Sequence, residues 1–293
     1  MPHDTPELLA TCWTSAGNVM PTRTGPQSPI DVVERVKAVS AAGYSGFGIG
    51  HADIVVVRDT LGDSAFRSLL DEHGIVTLEL EYIDDWWTSG DRRKAADVVR
   101  NDLLAAAEAL GAAHIKAGTG QVDDRVEPDV LDAAFLQLCQ QAESAGTRIA
   151  LEPAAFSMMP TITPGAELVT RVAHPAGGLL VDIWHIFRSG QPYTELLDVI
   201  PSDRVFAVEL NDGPGTYRGS MYDDTFDNRL LCGEGDFDVL SFIDVIRRLG
   251  YDGPWGVEMM SEHHRTLTPA EGARQAADAA RSVLDRHFAA AGG

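Results

Sequence analysis

The sequence predicts one α/β domain folded as a (β/α)8, or TIM, barrel, and three observations carry that expectation. Eight short apolar runs alternate with stretches of helical spacing along the 293 residues. Such alternation gives parallel strands joined by helical crossovers, and eight units close into a barrel. The last four runs end in acids that share one register. The first run leads into TSAGNVMP, which lacks the G-x-G-x-x-G turn expected of a doubly wound dinucleotide-binding sheet. No shift in composition divides the chain, so residues 1–293 read as a single domain with a flexible tail, AAAGG, from about residue 289.

The elements follow in order. Leu8 to Trp13 is a strand candidate, and the Gly-, Pro- and Ser-rich stretch from Thr14 to Gln27 is a loop. Ser28 caps a helix with Pro29 at its start and Ile30, Val33, Val36 and Val39 on one face, up to Gly43. Tyr44 to Gly50 is the second strand, with His51 directly after it, and one helix from about Asp53 to His73 is stopped by Gly74. Ile75 to Glu81 alternates as the third strand and runs into Asp84, Asp85, Trp86 and Trp87. A helix from Arg92 to Leu110 leads to the fourth strand, His114 to Ala117, and a helix from about Asp124 to Ala145 to the fifth, Thr147 to Glu152. After a helix over Pro164 to Val172 comes LLVDIWHIFR, whose apolar start at Leu179 marks a sixth strand buried on both faces. A short helix spans Tyr193 to Ile200 and the seventh strand Val205 to Glu209. A long polar loop from Asn211 to Asp236, a helix from Phe237 to Leu249, an eighth strand from Trp255 to Met259 and a helix from Pro269 to Phe288 complete the chain.

The net charge of -21 makes nucleic acid and anionic membranes poor partners. Cys12, Cys139 and Cys232 are odd in number and far apart, which suggests a reducing compartment. No basic start precedes an apolar leader, and no apolar run has membrane-spanning length. The expectation is a soluble, cytoplasmic protein.

Strands five to eight end in Ala150-Leu151-Glu152, Leu180-Val181-Asp182, Ala207-Val208-Glu209 and Gly256-Val257-Glu258. Side chains alternate along a strand. If Leu151, Val181, Val208 and Val257 face the outer helices, all four acids face the barrel axis at its carboxyl-terminal mouth, where active sites of this fold sit. Four such carboxylates cannot all ionise without a counter-charge. A divalent cation is the simplest solution, and oxygen donors favour Mg²⁺ or Mn²⁺, with Co²⁺ or Zn²⁺ as alternatives. Lys116, at the end of the fourth strand, is the local alternative.

LEP at 151–153, DIWH at 182–185, ELND at 209–212, VEM at 257–259 and the turn LCGEGDFD at 231–238 resemble the xylose isomerase-like barrel superfamily of sugar isomerases, epimerases and inosose dehydratases. The resemblance implies metal ligands at Glu152, Asp182, Glu209 and Glu258. The family usually places histidine where this chain has Glu209. It also implies substrate contacts from His185 and Arg218. Glu152 and Glu258 would then remove and return a proton through an enediolate. The implied activity is isomerisation or epimerisation of an unphosphorylated sugar or cyclitol-type keto compound. If a hydroxyl lies beta to the carbanion, the same residues would dehydrate an inosose or a dehydroshikimate-like substrate instead. His51, Glu81, Lys116 and Trp86, with Trp13, Trp87 and Trp184, are further candidates to line the mouth, the tryptophans as faces for sugar C–H groups. A small polyhydroxylated molecule is the expected partner, and a homodimer is compatible with the resemblance. Two rivals are a barrel endonuclease, opposed by the acidity and by Glu209, and a non-catalytic binding barrel, which the departure at Glu209 would suit.

Overall fold

Eight strands pair in sequence order, all parallel, and the eighth returns to the first to close the barrel. The structure is a computed structural model and describes residues 6–291. The strands are β1 (Leu8–Ala10), β2 (Gly46–Gly50), β3 (Thr77–Ile83), β4 (His114–Ala117), β5 (Ile149–Leu151), β6 (Gly177–Asp182), β7 (Val205–Leu210) and β8 (Trp255–Val257). The helices are α1 (Cys12–Ser15), α2 (Val32–Ala41), α3 (His51–Thr60), α4 (Asp63–Glu72), α5 (Gly90–Leu110), α6 (Pro128–Ser144), α7 (Ile162–Val172), α8 (Ile183–Ser189), α9 (Leu196–Val199), α10 (Met221–Asp227), α11 (Val239–Arg248) and α12 (Pro269–Ala291). The fold class read from the sequence is the one observed. None of the described helices is long and apolar enough to cross a membrane.

The alternation of the strands sorts two sets of side chains. Leu151, Val181, Val208 and Val257 join the main core between the sheet and the helices. Ala150, Leu180 and Ala207 form a separate cluster inside the barrel. Because neighbours along a strand point to opposite faces, the acid that follows each outward residue is returned to the barrel interior.

Several boundaries differ from the sequence expectation, each for a local reason. The segment 53–73 is two helices, not one: Gly62 adopts φ +83°, which breaks the helical path between α3 and α4. The first strand stops at Ala10 and the chain turns into α1. The cap of α2 is Asp31, whose carboxylate accepts from Val33 N–H at 2.8 Å, rather than Ser28. The long loop after β7 contains α10, capped by Ser220. α12 is helical to Ala291, and residues 292–293 of the stretch expected as a tail lie outside the described part.

The loop after β7 is held down by one buried acid. Asp212 accepts from the N–H groups of Gly213, Gly233 and Phe237 at 2.8, 2.9 and 3.0 Å. Gly235 is required there, because a Cβ would lie 2.5 Å from the Gly213 carbonyl oxygen. This fastening returns the chain over the mouth and so determines where Arg229 can reach.

Candidate active site

The mouth of the barrel holds a pocket of about 220 Å³ whose floor is built by strand ends. Oxygens of Glu152, Asp182, Glu209 and Glu258 lie within 4.8 Å of one another. These are the four positions in common register, and Asp182 pairs directly with Glu209 across the sheet. Asp182, Glu209 and Glu258 are each no more than 2% exposed.

Two cations enter this floor. Lys116, from β4, places Nζ 2.5 Å from Glu209 Oε1, 3.0 Å from Glu258 Oε1 and 3.3 Å from Glu81 Oε2. Burial works to strip Lys116 of its proton, but Glu209, Glu258 and Glu81 outweigh it and hold the ammonium well above the ordinary lysine range. Arg229, from the loop after α10, bridges Asp182 Oδ2 and Glu258 Oε2, both 2.9 Å from Nη1. Nη2 and Nε also donate, to the Thr225 hydroxyl and carbonyl, which leaves one Nη2 hydrogen without a partner among the described residues. Glu258 therefore accepts one cation on each oxygen.

Glu152 has no such partner. Burial raises its carboxyl to about 8; Lys116 opposes the rise, and Glu258 and Asp182 add to it. Glu81, on β3, accepts from Cys12 N–H and Trp13 Nε1–H, both at 3.1 Å, and burial lifts it to about 7 with Lys116 opposing. Burial likewise pushes the Glu209 carboxyl up, with Glu258 adding and Lys116 opposing, so these crowded carboxyls all favour their protonated form.

Asp182 ends β6 and caps α8, accepting from Trp184 N–H at 2.9 Å and from Asn211 Nδ2 at 2.9 Å. The chain turns into a helix here rather than an open loop, and His185 in its first turn is swung over the mouth. The Ala155 N–H points at His185 Nδ1 at 3.3 Å. The neutral ring then carries its proton on Nε2, which lies 3.6 Å from Glu152 and 3.8 Å from Asp182. Burial, with Arg229 adding, pushes His185 down to about 3, so it stays neutral at ordinary pH.

Of the candidates read from the sequence, Glu152, Asp182, Glu209, Glu258, His185, Lys116, Glu81 and Trp13 meet at this floor or its walls. Three others lie away from this floor. His51 starts α3 and turns outward to Asp102 of α5 at 2.8 Å. Arg218 is exposed on the loop, where only its backbone N–H is used, by Asp224. Trp86 is core, edge-on to Trp87 and donating to the Gly118 carbonyl at 2.9 Å. Trp184 is also core. In their place Phe156, Tyr222 and Phe226 form an aromatic wall, with centroids 5.6 and 5.0 Å apart. Arg229 is the residue that sequence reading passed over. The available sign was its place four residues before Gly233 in the glycine-rich turn.

Whether the acids suit a metal is decided by Glu209. It is 1% exposed; Lys116 faces its Oε1, and Oε2 receives no hydrogen bond from the described residues. A buried oxygen left without a partner suits a further cation. The donors are four carboxylates, a hard set. The residues therefore fit a divalent ion.

Fold and site together define a barrel with an acid-lined mouth suited to a divalent cation and a small polar molecule. The sequence profile of the xylose isomerase-like TIM barrel family matches residues 36–283, and the chain belongs to that family. A 3-dehydroshikimate dehydratase of Pseudomonas putida is 26% identical over 254 residues, covering 86% of this chain and 39% of that protein. The chain thus spans about two-fifths of that relative's length. Two solved structures share the fold. The IOLI protein with a bound zinc atom superposes with a TM-score of 0.81 at 17% identity, covering 96% of this chain and 99% of that one. A Methylomonas D-allulose 3-epimerase in complex with D-allulose superposes with a TM-score of 0.68 at 18% identity, covering 96% and 98%.

Proposed function

We propose that the chain is a divalent-metal-assisted enzyme that enolises a small, unphosphorylated, polyhydroxylated keto compound. The observation that carries this reading is the convergence of four carboxylates from consecutive strands within 4.8 Å on the floor of one pocket. Glu152, Asp182, Glu209 and Glu258 would hold the ion. When bound, a divalent ion supplies Lewis-acid polarisation of a substrate oxygen. Mn²⁺ or Mg²⁺ suits an all-oxygen set best.

The chain's own groups do the rest. Glu258 accepts the proton from the carbon alpha to the ketone. Its two cationic partners offset the charge it carries before the transfer. Arg229 stands where it can also stabilise the developing oxyanion. Glu152, which has neither Lys116 nor Arg229 upon it, is the group placed to deliver the proton. If the proton goes to a hydroxyl beta to the carbanion, water leaves and an alkene conjugated to the ketone remains. If it goes back to carbon, the product is an isomer or epimer. His185 Nε2–H and the aromatic wall orient hydroxyls and C–H faces.

Dehydration of a dehydroshikimate-like acid is the outcome we favour, because the Pseudomonas relative named for it aligns along 86% of this chain. Isomerisation or epimerisation of a ketose or cyclitol is the second reading, favoured by the shared fold with a D-allulose 3-epimerase. The test is a screen of dehydroshikimate, inososes and ketoses, with and without chelator, following the absorbance of dehydrated (for dehydroshikimate, aromatic) product and epimer formation, alongside metal content by plasma mass spectrometry. Dehydrated product whose formation chelator abolishes supports the favoured reading. Epimer without alkene selects the second, and full turnover in chelator by metal-free protein removes the metal from both.

A further inference from the structure

Lys116 is only 1% exposed, yet it is surrounded by charge. Its Nζ stands within 3.3 Å of Glu81 on β3, Glu209 on β7 and Glu258 on β8. An ammonium has three N–H donors and no acceptor. Glu258 takes a hydrogen bond from Nζ, while Glu81 and Glu209 stand in ion-pair contact with it, so three acids crowd one ammonium. Two of its three neighbours, Glu209 and Glu258, belong to the set of four that suits a cation.

We propose that Lys116 is the resident counter-ion of the metal cluster. It holds Glu209 and Glu258 together while no metal is bound, and it sets the strength of metal binding by repelling the ion that these acids attract. It is a positioning residue, not one that touches substrate. The inference rests on the reading of the four acids as metal ligands. The physics has two sides. Buried like charges cannot all ionise without compensation, so a fixed cation stabilises the metal-free barrel. The same fixed charge, a few ångström from the ligand oxygens in a low-dielectric site, raises the cost of bringing in a divalent ion.

The experiment uses the full chain, stripped with EDTA and dialysed, with Mn²⁺ as the probe. Isothermal titration gives the Kd of the wild type, Lys116→Met, Glu209→Gln and the double variant, and thermal melts are run with and without Mn²⁺. Lys116→Met should bind Mn²⁺ at least tenfold more tightly than the wild type. It should melt lower without metal and recover when Mn²⁺ is added. The double variant keeps the net charge of the cluster and should melt near the wild type. If Lys116→Met does not fold without metal, the comparison passes to Glu209→Gln against the double variant, where loss of Lys116 should again tighten Mn²⁺ binding. A Kd within twofold across both pairs overturns the counter-ion role and leaves the metal reading standing. Absence of Mn²⁺ binding in all four proteins overturns both.

Discussion

Glu79 and Glu81 sit two residues apart on β3, on the same inner face, and their surroundings drive them in opposite directions. Glu79 lies one layer below the mouth, 1% exposed, with Oε2 2.7 Å from His114 Nε2. Burial works against its charge, but Lys116 and the hydrogen bond from His114 prevail and hold it below the ordinary carboxylate range. Glu81 is 5% exposed, and there burial prevails and lifts it to about 7. Glu79 has a partner of its own, whereas Glu81 shares Lys116 with Glu209 and Glu258. The lower layer buries an acid by pairing it. The upper layer gathers more acid than its cations neutralise, and that surplus is what a metal and a reacting substrate can use. A cavity of about 380 Å³ opens below, toward the amino-terminal ends of the strands, with Glu79 and His114 in its lining. In this fold that end serves stability rather than catalysis.

The widest separation between the layers should come from removing one acid in each. Glu258→Gln or Glu152→Gln should lower turnover by about 10²–10⁴-fold, the range for loss of a general acid or base, with the fold retained. Glu79→Gln should leave turnover within a few-fold but cost about 1–3 kcal/mol, the range for disturbing a buried hydrogen bond to a charged group. Steady-state kinetics and urea unfolding on the same preparations measure both. A Glu79→Gln protein that is stable and inactive would erase the distinction.

This separation was half legible in the sequence. The upper layer could be read because three conditions coincide at strands five to eight: an apolar residue facing the helices, an acid after it and the same spacing from each strand end. Alternation along a strand then requires the acids to converge. The lower pair was not read, although Glu79 and Glu81 alternate in TLELEYI. A carboxylate in mid-strand gives no sign of its partner, and His114 lies 35 residues away on the neighbouring strand. Arg229 escaped for a different reason. Its position depends on the path of a 26-residue polar loop, which three backbone hydrogen bonds to Asp212 determine and no periodicity records. Arg218 came from the family resemblance and His51 from its place at a strand end, and neither source shows which way a side chain turns.

A pH experiment sharpens the contrast at smaller scale. Glu81 has a folded-state value near 7, against about 4.3 in an unfolded chain. A carboxyl raised in this way binds its proton more tightly when folded. Its contribution is fully present below the unfolded value and is lost as pH rises through 7. Metal-free protein should therefore lose stability as pH rises from 5.5 to 8. Glu81→Gln should flatten that fall, measured by urea midpoints in EDTA at pH 5.5 and 8. Glu79 has the opposite sign: its contribution is present above the unfolded value and is lost as pH falls, so Glu79→Gln should remove stability at pH 8 and less at pH 4.

The smallest effects belong outside both layers. His51 is held by Asp102 at 2.8 Å, with 25% and 37% of the two side chains exposed. Partly exposed pairs of this sort contribute about 0–1 kcal/mol. Arg218 uses only its backbone N–H, which alanine keeps. His51→Ala and Arg218→Ala should each leave turnover and KM within twofold, and His51→Ala should shift the urea-unfolding free energy by less than about 1 kcal/mol. The check on Arg218 is demanding, because its loop also carries Arg229, which bridges two of the four acids. A tenfold loss in Arg218→Ala would mean that the loop moves far enough in turnover to bring this exposed guanidinium to the substrate. The upper layer would then extend beyond the pocket wall seen at rest.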